Sequence, residues 1–169
     1  MTQLEQSLDA ASTALSFAKD GGAITILNPA PAQPLGENIL KLCDFVTPNE
    51  IEAEQITGTP VKSINDAEIA AGKLLEKGAS AAVITLGEQG ALFKDNNQII
   101  HQPSFQVGPI VETTGAGDAF NGGLAVALAE EMPIDKALRF ACATASISVT
   151  RQGTAPSMPD RHEIDTLIK

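Results

Sequence analysis

Three short apolar runs, Ala23–Leu27, Cys43–Val46 and Ala81–Leu86, alternate with stretches of helical periodicity. The clearest of them, Ala81-Ala82-Val83-Ile84-Thr85-Leu86, shows no polar alternation. A strand of that kind is buried on both faces, as in a parallel sheet covered by helices. Apolar Leu4, Leu8, Ala11, Leu15 and Ala18 give a helical period over 4–19, stopped by Gly21-Gly22. Further helices are expected at 37–42, at 49–57 closed by Gly58, and at 65–77 closed by Gly78. Ala91–Lys94 and Gln98–His101, joined by Asp95-Asn96-Asn97, read as an antiparallel hairpin, and Phe105, Val107 and Val111 as another short extended segment. Helices then run over about 117–130, 134–150 and 160–168. The class is α/β with a mostly parallel sheet and an appended hairpin. On this reading the chain opens on a helix, with no strand before it.

With 169 residues and 43% hydrophobic content, the chain is expected to form one domain, 1–169, with a real core. A net charge of −10 argues against nucleic acid and anionic membranes as partners. It leaves phosphate ligands open, because backbone amides bind phosphate without a basic patch. No apolar run approaches the roughly 20 residues of a membrane span, and Met1-Thr2-Gln3-Leu4-Glu5 has neither the basic region nor the apolar core of a signal peptide. Cys43 and Cys142 lie far apart in apolar patterns, which reads as buried free thiols in a reducing cytoplasm. No Cys/His spacing suggests zinc, and His101 and His162 carry no motif.

The chemistry concentrates in Glu112-Thr113-Thr114-Gly115-Ala116-Gly117-Asp118-Ala119-Phe120-Asn121-Gly122-Gly123. A Gly-rich turn feeding a helix leaves backbone N–H groups pointing outward, with the positive end of the helix dipole behind them. That is an anion site, and Asp118 at its lip can take a proton from whatever approaches the anion. An ordinary Gly-rich helix entry with Asp118 as a cap explains the spacing alone as well. A dinucleotide fingerprint fits less well, since Phe120 stands at the sixth position of G-x-G-x-x-G, and no P-loop pattern occurs. Asn28, Asn49 to Glu52, Thr85 to Gly90 and Thr113 to Asp118 fall at strand ends, where open α/β sheets bind ligands.

Glu112 to Gly123 resembles the second signature of the ribokinase-type (PfkB) carbohydrate kinase family, D-T-T-G-A-G-D-x-F-x-G. Asn49-Glu50-Ile51-Glu52 is similar to that family's N-x-x-E motif, and Thr85-Leu86-Gly87-Glu88-Gln89-Gly90 to its T-x-G-x-x-G nucleotide loop. Asn28–Ala32 and Val149–Pro159 resemble the ribose-phosphorylating branch more than the fructokinase or adenosine kinase branches. Five motifs in order are far more specific than any one.

The resemblance implies a three-layer α/β/α fold and ATP-dependent phosphorylation of D-ribose to D-ribose 5-phosphate, with ATP, Mg²⁺ and K⁺ as cofactors. It makes Asp118 the general base and a sugar contact, and Gly115, Ala116 and Gly117 the amides that hold the transferring phosphoryl group. ATP would be bound by Asn49, by Thr85, Leu86, Gly87, Glu88, Gln89 and Gly90, by Gly117 and Asp118, and near Cys142, where the family often has Asn. Glu52 would act on Mg²⁺ through water. Potassium would lie among Glu112, Thr114, Ser148, Arg151, Gly153 and Ser157, mostly on backbone carbonyls. The family has Asp where this chain has Glu112, and one extra methylene moves the carboxylate by roughly 1.5 Å. Glu5 matches the position of an acid that contacts sugar.

The family's Gly-Gly sugar signature and small β-sheet lid find no match here, so the chain resembles only the C-terminal, ATP-binding half of such a kinase. The expectation is an enzyme in the full-length parent, a homodimer, with this chain weak or inactive alone. Another sugar or nucleoside kinase of the family is the alternative within that class. A non-catalytic nucleotide-binding fragment is the alternative outside it.

Overall fold

Ser7 decides where the first helix begins. In the computed structural model, which describes residues 1–169, α1 spans Leu8–Asp20, and the Ser7 hydroxyl accepts from the Ala10 N–H at 3.2 Å as its N-cap. The helical period starting at Leu4 overreaches; no strand precedes the helix, but a single bridge does. Thr2 pairs in parallel with Leu27, its N–H donating to Ile26 and its carbonyl accepting from Asn28, both at 3.0 Å. The Leu4 N–H is committed to Ala30 O at 2.8 Å, so the buried Leu4 side chain reaches the core from outside the helix. Its apolar character is explained by that burial rather than by a helix face.

The sheet follows the expected alternation. In order come β1 (Ile26–Leu27), α2 (Glu37–Leu40), β2 (Phe45–Val46), α3 (Glu50–Thr57), α4 (Ile64–Glu76), β3 (Ala81–Thr85), β4 (Ala91–Lys94) and β5 (Ile99–Gln102). Five strands lie in the order β1-β2-β3-β4-β5. β1 pairs in parallel with β2, with Ile26 opposite Phe45, and β2 with β3, with Phe45 opposite Ala81. The connections from β3 to β4 and from β4 to β5 are too short for a parallel crossover, so both turn back antiparallel. The Asp95 carboxylate holds the second turn by accepting from the N–H groups of Asn97 and Gln98 at 2.7 and 2.8 Å. Thr25 and Asp44 fix the start of the β1–β2 register: the Asp44 carboxylate accepts from the Thr25 N–H at 2.8 Å, and the Thr25 hydroxyl accepts from the Asp44 N–H at 2.9 Å.

The chain divides into two compact units, one of Met1–Leu86 with Leu92–His101, the other of Gly87–Ala91 with Gln102–Lys169. In the first, sheet residues Leu27, Val46, Ala82 and Ile84 share a core with Ala67, Ala70, Ala71 and Leu74 of α4. That helix presents a buried stripe with the 3.6-residue spacing seen in the sequence. In the second, α5 (Ala116–Ala129) packs on α6 (Ile134–Ser148), and α7 (Arg161–Leu167) begins at an Asp160/Glu163 capping box. The segment around Phe105, Val107 and Val111, expected to be extended, forms no strand. The Phe105 N–H donates to the Ser146 hydroxyl at 3.1 Å and the Val111 N–H to Val149 O at 2.8 Å, so α6 takes bonds that a strand would have given a neighbour.

Two adjacent glycines of α5 differ sharply. A Cβ on Gly123 would lie 2.7 Å from the Thr144 hydroxyl oxygen and 3.0 Å from Ala141 Cα, whereas a Cβ on Gly122 would meet nothing within 4 Å. Gly122→Ala is therefore expected to stabilise the protein by roughly 0.5–1 kcal/mol through helix propensity. Gly123→Ala is expected to cost roughly 1–3 kcal/mol by forcing α5 off α6. Urea unfolding of the two variants checks this, and equal effects would contradict the close approach.

Candidate functional site

In the first unit, polar groups gather beyond the C-terminal ends of the parallel strands. Thr47 follows β2 and its N–H donates to Leu27 O at 2.9 Å; Asn49 bridges Thr85 at the end of β3, whose N–H donates to Pro48 O at 3.0 Å. Asn49 and Glu52 form a capping box at the start of α3. The Asn49 side-chain oxygen accepts from the Glu52 N–H at 2.9 Å, and Glu52 Oε2 accepts from the Asn49 N–H at 2.9 Å. Asn49 Nδ2 also donates to Glu52 Oε1 at 3.0 Å. The N-x-x-E spacing thus has a structural cause of its own, the reciprocal cap. Glu52 is only 6% exposed, and burial pushes its carboxyl above the usual carboxylate range, opposed by the Asn49 N–H. Glu5 is exposed, next to Leu4 and hence to the Asn28–Ala32 loop that receives the Leu4 N–H.

In the second unit, Gly115 is the N-cap of α5 with φ +82 and offers no side chain to cap the helix. The first-turn N–H groups therefore face outward with the helix dipole behind them. Of the three amides expected to hold a phosphoryl group, that of Ala116 donates to Thr113 O at 3.1 Å, a bond an incoming anion oxygen would share or replace. Asp118 stands exposed in the same first turn. Asn121, 2% exposed, braces the turn from below, its Nδ2 donating to Gly117 O at 2.9 Å.

A cavity of about 380 Å³ opens beside this turn and shares Thr113 and Ala116 with it. Gly87 and Glu88 form another part of its wall, and the Ser104 hydroxyl holds their loop by donating to Glu88 O at 2.6 Å. Gly90 closes that loop at φ +91, where a Cβ would sit 2.0 Å from Gln102 O. The remaining wall comes from Phe105, Val107 and Ile110 and from Ala145, Ser146 and Val149 of the α6 end. Its volume and mixed lining suit a small organic ligand with one polar or charged end. No sequence signal marks the Phe105–Ile110 wall: its apolar residues look like strand residues but line a cavity. Arg139 stacks over the Phe105 ring at 5.0 Å and steadies it.

Other expected residues are placed differently. Cys142 lies outside the cavity wall; it is buried, with its thiol 3.8 Å from Gln102 O. Burial pushes the thiols of both Cys142 and Cys43 up to about 12, so neither is a nucleophile at neutral pH. Among the residues expected around potassium, Glu112 Oε2 accepts from the Gly153 N–H at 2.8 Å. The hydroxyls of Ser148 and Ser157 donate to Ala145 O and Thr154 O at 2.8 and 2.6 Å. The Arg151 guanidinium pairs with Glu163, which leaves its backbone carbonyl as the group that could face a cation. Thr114 is exposed beside Gly115. No group of three or more His, Cys, Asp or Glu side chains is placed to hold a metal ion, and no helix is long and apolar enough to cross a membrane.

This arrangement has close counterparts. The profile described as pfkB family carbohydrate kinase matches residues 2–161. A ribokinase of Haemophilus influenzae is 43% identical over 165 residues, covering 96% of this chain and 53% of that protein. A deoxyribokinase of Salmonella typhimurium is 40% identical over 167 residues, covering 98% and 54%. Among solved structures, Arabidopsis thaliana ribokinase complexed with ribose and ATP superposes with a TM-score of 0.95 at 31% identity, covering 99% of this chain and 54% of that one. The chain spans about half the length of the curated relatives it matches. With the family profile running over nearly all of its residues, and the mixed five-stranded sheet and helices matching the solved relatives, the chain belongs to the pfkB family of carbohydrate kinases.

Proposed function

We propose that this chain supplies the nucleotide-binding and phosphoryl-transfer part of a kinase that converts D-ribose and ATP to D-ribose 5-phosphate and ADP. The observation that carries this is the shared wall: the uncapped N-terminus of α5, with Asp118 in its first turn, borders a cavity of about 380 Å³ through Thr113 and Ala116. The cavity takes the base and sugar of the nucleotide, and the turn takes the phosphate end. The Asp118 carboxylate accepts the proton of the sugar hydroxyl as that oxygen bonds to the γ-phosphorus. The bond from that phosphorus to the β–γ bridging oxygen breaks, and ADP leaves. First-turn amides hold the charge on the transferring group, so catalysis is positioning and electrostatics.

Two ions implied by the family fit the residues present. Glu52 already spends both carboxylate oxygens on Asn49, yet a carboxylate has about four lone-pair sites. It keeps lone pairs that would orient the waters of a Mg²⁺, which suits an ion that keeps its waters. Such an ion neutralises phosphate charge. Thr114, Ser148, Arg151, Gly153 and Ser157 offer an oxygen-only set, mainly backbone carbonyls, of the kind that suits K⁺.

The relatives leave the sugar open between ribose and 2-deoxyribose, because a ribokinase and a deoxyribokinase are nearly equally similar. A nucleotide-binding role without turnover is the reading from another class. Calorimetry with ATP and Mg²⁺ and a coupled assay of ADP release with ribose or 2-deoxyribose separate these. The expected result is ATP binding by the chain with slow pentose-dependent turnover, well below that of a complete kinase. Binding with no pentose-dependent ADP release at all favours the non-catalytic reading, and no binding contradicts the proposal. Asp118→Asn is expected to lower the pentose-dependent rate by about 10²–10⁴-fold while leaving ATP affinity within about threefold. Glu52→Gln leaves one side-chain oxygen where two accept from Asn49, so it is expected to lower the melting temperature by a few degrees, the scale of one lost hydrogen bond of about 1 kcal/mol.

A further inference from the structure

The first turn of α5 contains two residues poorly suited to hold it. Gly115, the N-cap, has no side chain to cap the helix, and Gly117 is exposed, with nothing within 4 Å of the place a Cβ would take. Glycine leaves the backbone its widest choice of conformations. A serine or aspartate at the N-cap would steady the turn from outside, but its oxygen would occupy N–H groups that face an incoming anion. A restraint that leaves the mouth of the helix clear has to come from within. Asn121 is placed to supply it: it is 2% exposed, and its Nδ2 donates to Gly117 O at 2.9 Å from one turn below. The buried side chains around it on α5, Ala119, Phe120, Leu124 and Ala127, are apolar. Leucine there would have better helix propensity and no amide to desolvate. The family signature D-T-T-G-A-G-D-x-F-x-G leaves this position open.

We infer that Asn121 is a positioning residue for the phosphate end of the site: its bond to Gly117 O holds the Gly117–Asp118 peptide in helical register. That peptide carries the Asp118 N–H on its other side. In a planar trans peptide the carbonyl and the N–H point in opposite directions. A donor that fixes Gly117 O inside the helix therefore fixes the direction of the Asp118 N–H at its open end, and with it the root of the Asp118 side chain. Hydrogen bonding at the carbonyl also polarises the peptide and makes its N–H a stronger donor. The effect on phosphate rests on the nucleotide-site reading above; the restraint of the turn does not.

The test compares Asn121→Thr with Asn121→Val, which share a shape and differ in one hydroxyl. A threonine inside a helix donates to the carbonyl four residues back, as Thr57 and Thr144 do here to Ala53 O and Phe140 O at 2.7 and 2.8 Å. Asn121→Thr thus restores a donor to Gly117 O, and Asn121→Val does not. Without nucleotide, ¹⁵N relaxation at the Asp118 amide is expected to give an order parameter of about 0.85 in the wild type and Asn121→Thr, falling toward about 0.6 in Asn121→Val. NMR titrations with ATP plus Mg²⁺ and with adenosine then read the two ends of the site. Asn121→Val is expected to bind ATP about five- to tenfold more weakly than Asn121→Thr, the scale of one hydrogen bond, while their adenosine affinities agree within about twofold. A change that merely loosened the fold would weaken both ligands together. Equal order parameters in the two variants would overturn the inference, as would equal ATP affinities or a parallel loss of adenosine binding. Should neither ligand bind the wild type, the nucleotide-site reading fails and the relaxation comparison alone decides the restraint. Should Asn121→Val fail to fold, Asn121→Ser and Asn121→Ala, which differ by the same hydroxyl, take the place of the pair.

Discussion

The contact of α5 with α6 at Gly123 is the constraint on which the second unit depends. A methyl group at Gly123 would fall within 2.7 Å of the Thr144 hydroxyl oxygen, itself committed to Phe140 O at 2.8 Å. The two helices therefore meet nearly backbone to backbone, and the position of one dictates the other. Because α5 begins at the Gly115 turn and α6 ends at Val149, that contact also sets the two helix ends bordering the cavity. An outward-facing helix N-terminus binds anions only where something holds it in place, and here packing does so. The exposed chemistry of Asp118 and its neighbours is carried by a buried stripe running through Ala119, Phe120, Leu124 and Ala127.

The two ends are joined a second time by polar groups. The Val149 carbonyl at the α6 C-cap accepts from the N–H groups of both Val111 and Glu112, and the following loop returns through Gly153 and Thr154 to the α5 N-cap. Backbone amides and carbonyls that would otherwise be orphaned at two helix ends thus satisfy each other or one carboxylate. In the first unit the corresponding device is the Asn49–Glu52 cap, which fixes the start of α3 beside the ends of β2 and β3. Each unit thus carries its share of the expected site on a capped or packed helix start.

Much of this was legible in the sequence for a physical reason. The strand at Ala81–Thr85 and the helix at Ile64–Glu76 follow directly from burial periodicity, and the helix stops at Gly21 and Gly58 from backbone chemistry. The Gly115–Asp118 turn was visible because few residue types can make one. What escaped depends on long-range partners. Leu4 looks helical by its spacing, but its N–H is committed to Ala30 O, outside any helix. Phe105 and Val107 look like strand residues, because apolar character does not distinguish a neighbouring strand from a cavity. Cys142 lies outside the cavity, whose α6 wall starts at Ala145, about one helical turn on. Family motifs single out the Gly115–Asp118 turn but carry no information on the bond from the Gly153 N–H to the Glu112 carboxylate.

The central claim is that the α5 N-terminus and its cavity form one nucleotide site. An amide NMR titration of the chain with ATP and Mg²⁺ tests it most directly. The account predicts that the resonances of Gly117, Gly87, Val107 and Val149 shift together and saturate with one dissociation constant. Saturable shifts elsewhere that leave these four amides unmoved would contradict it.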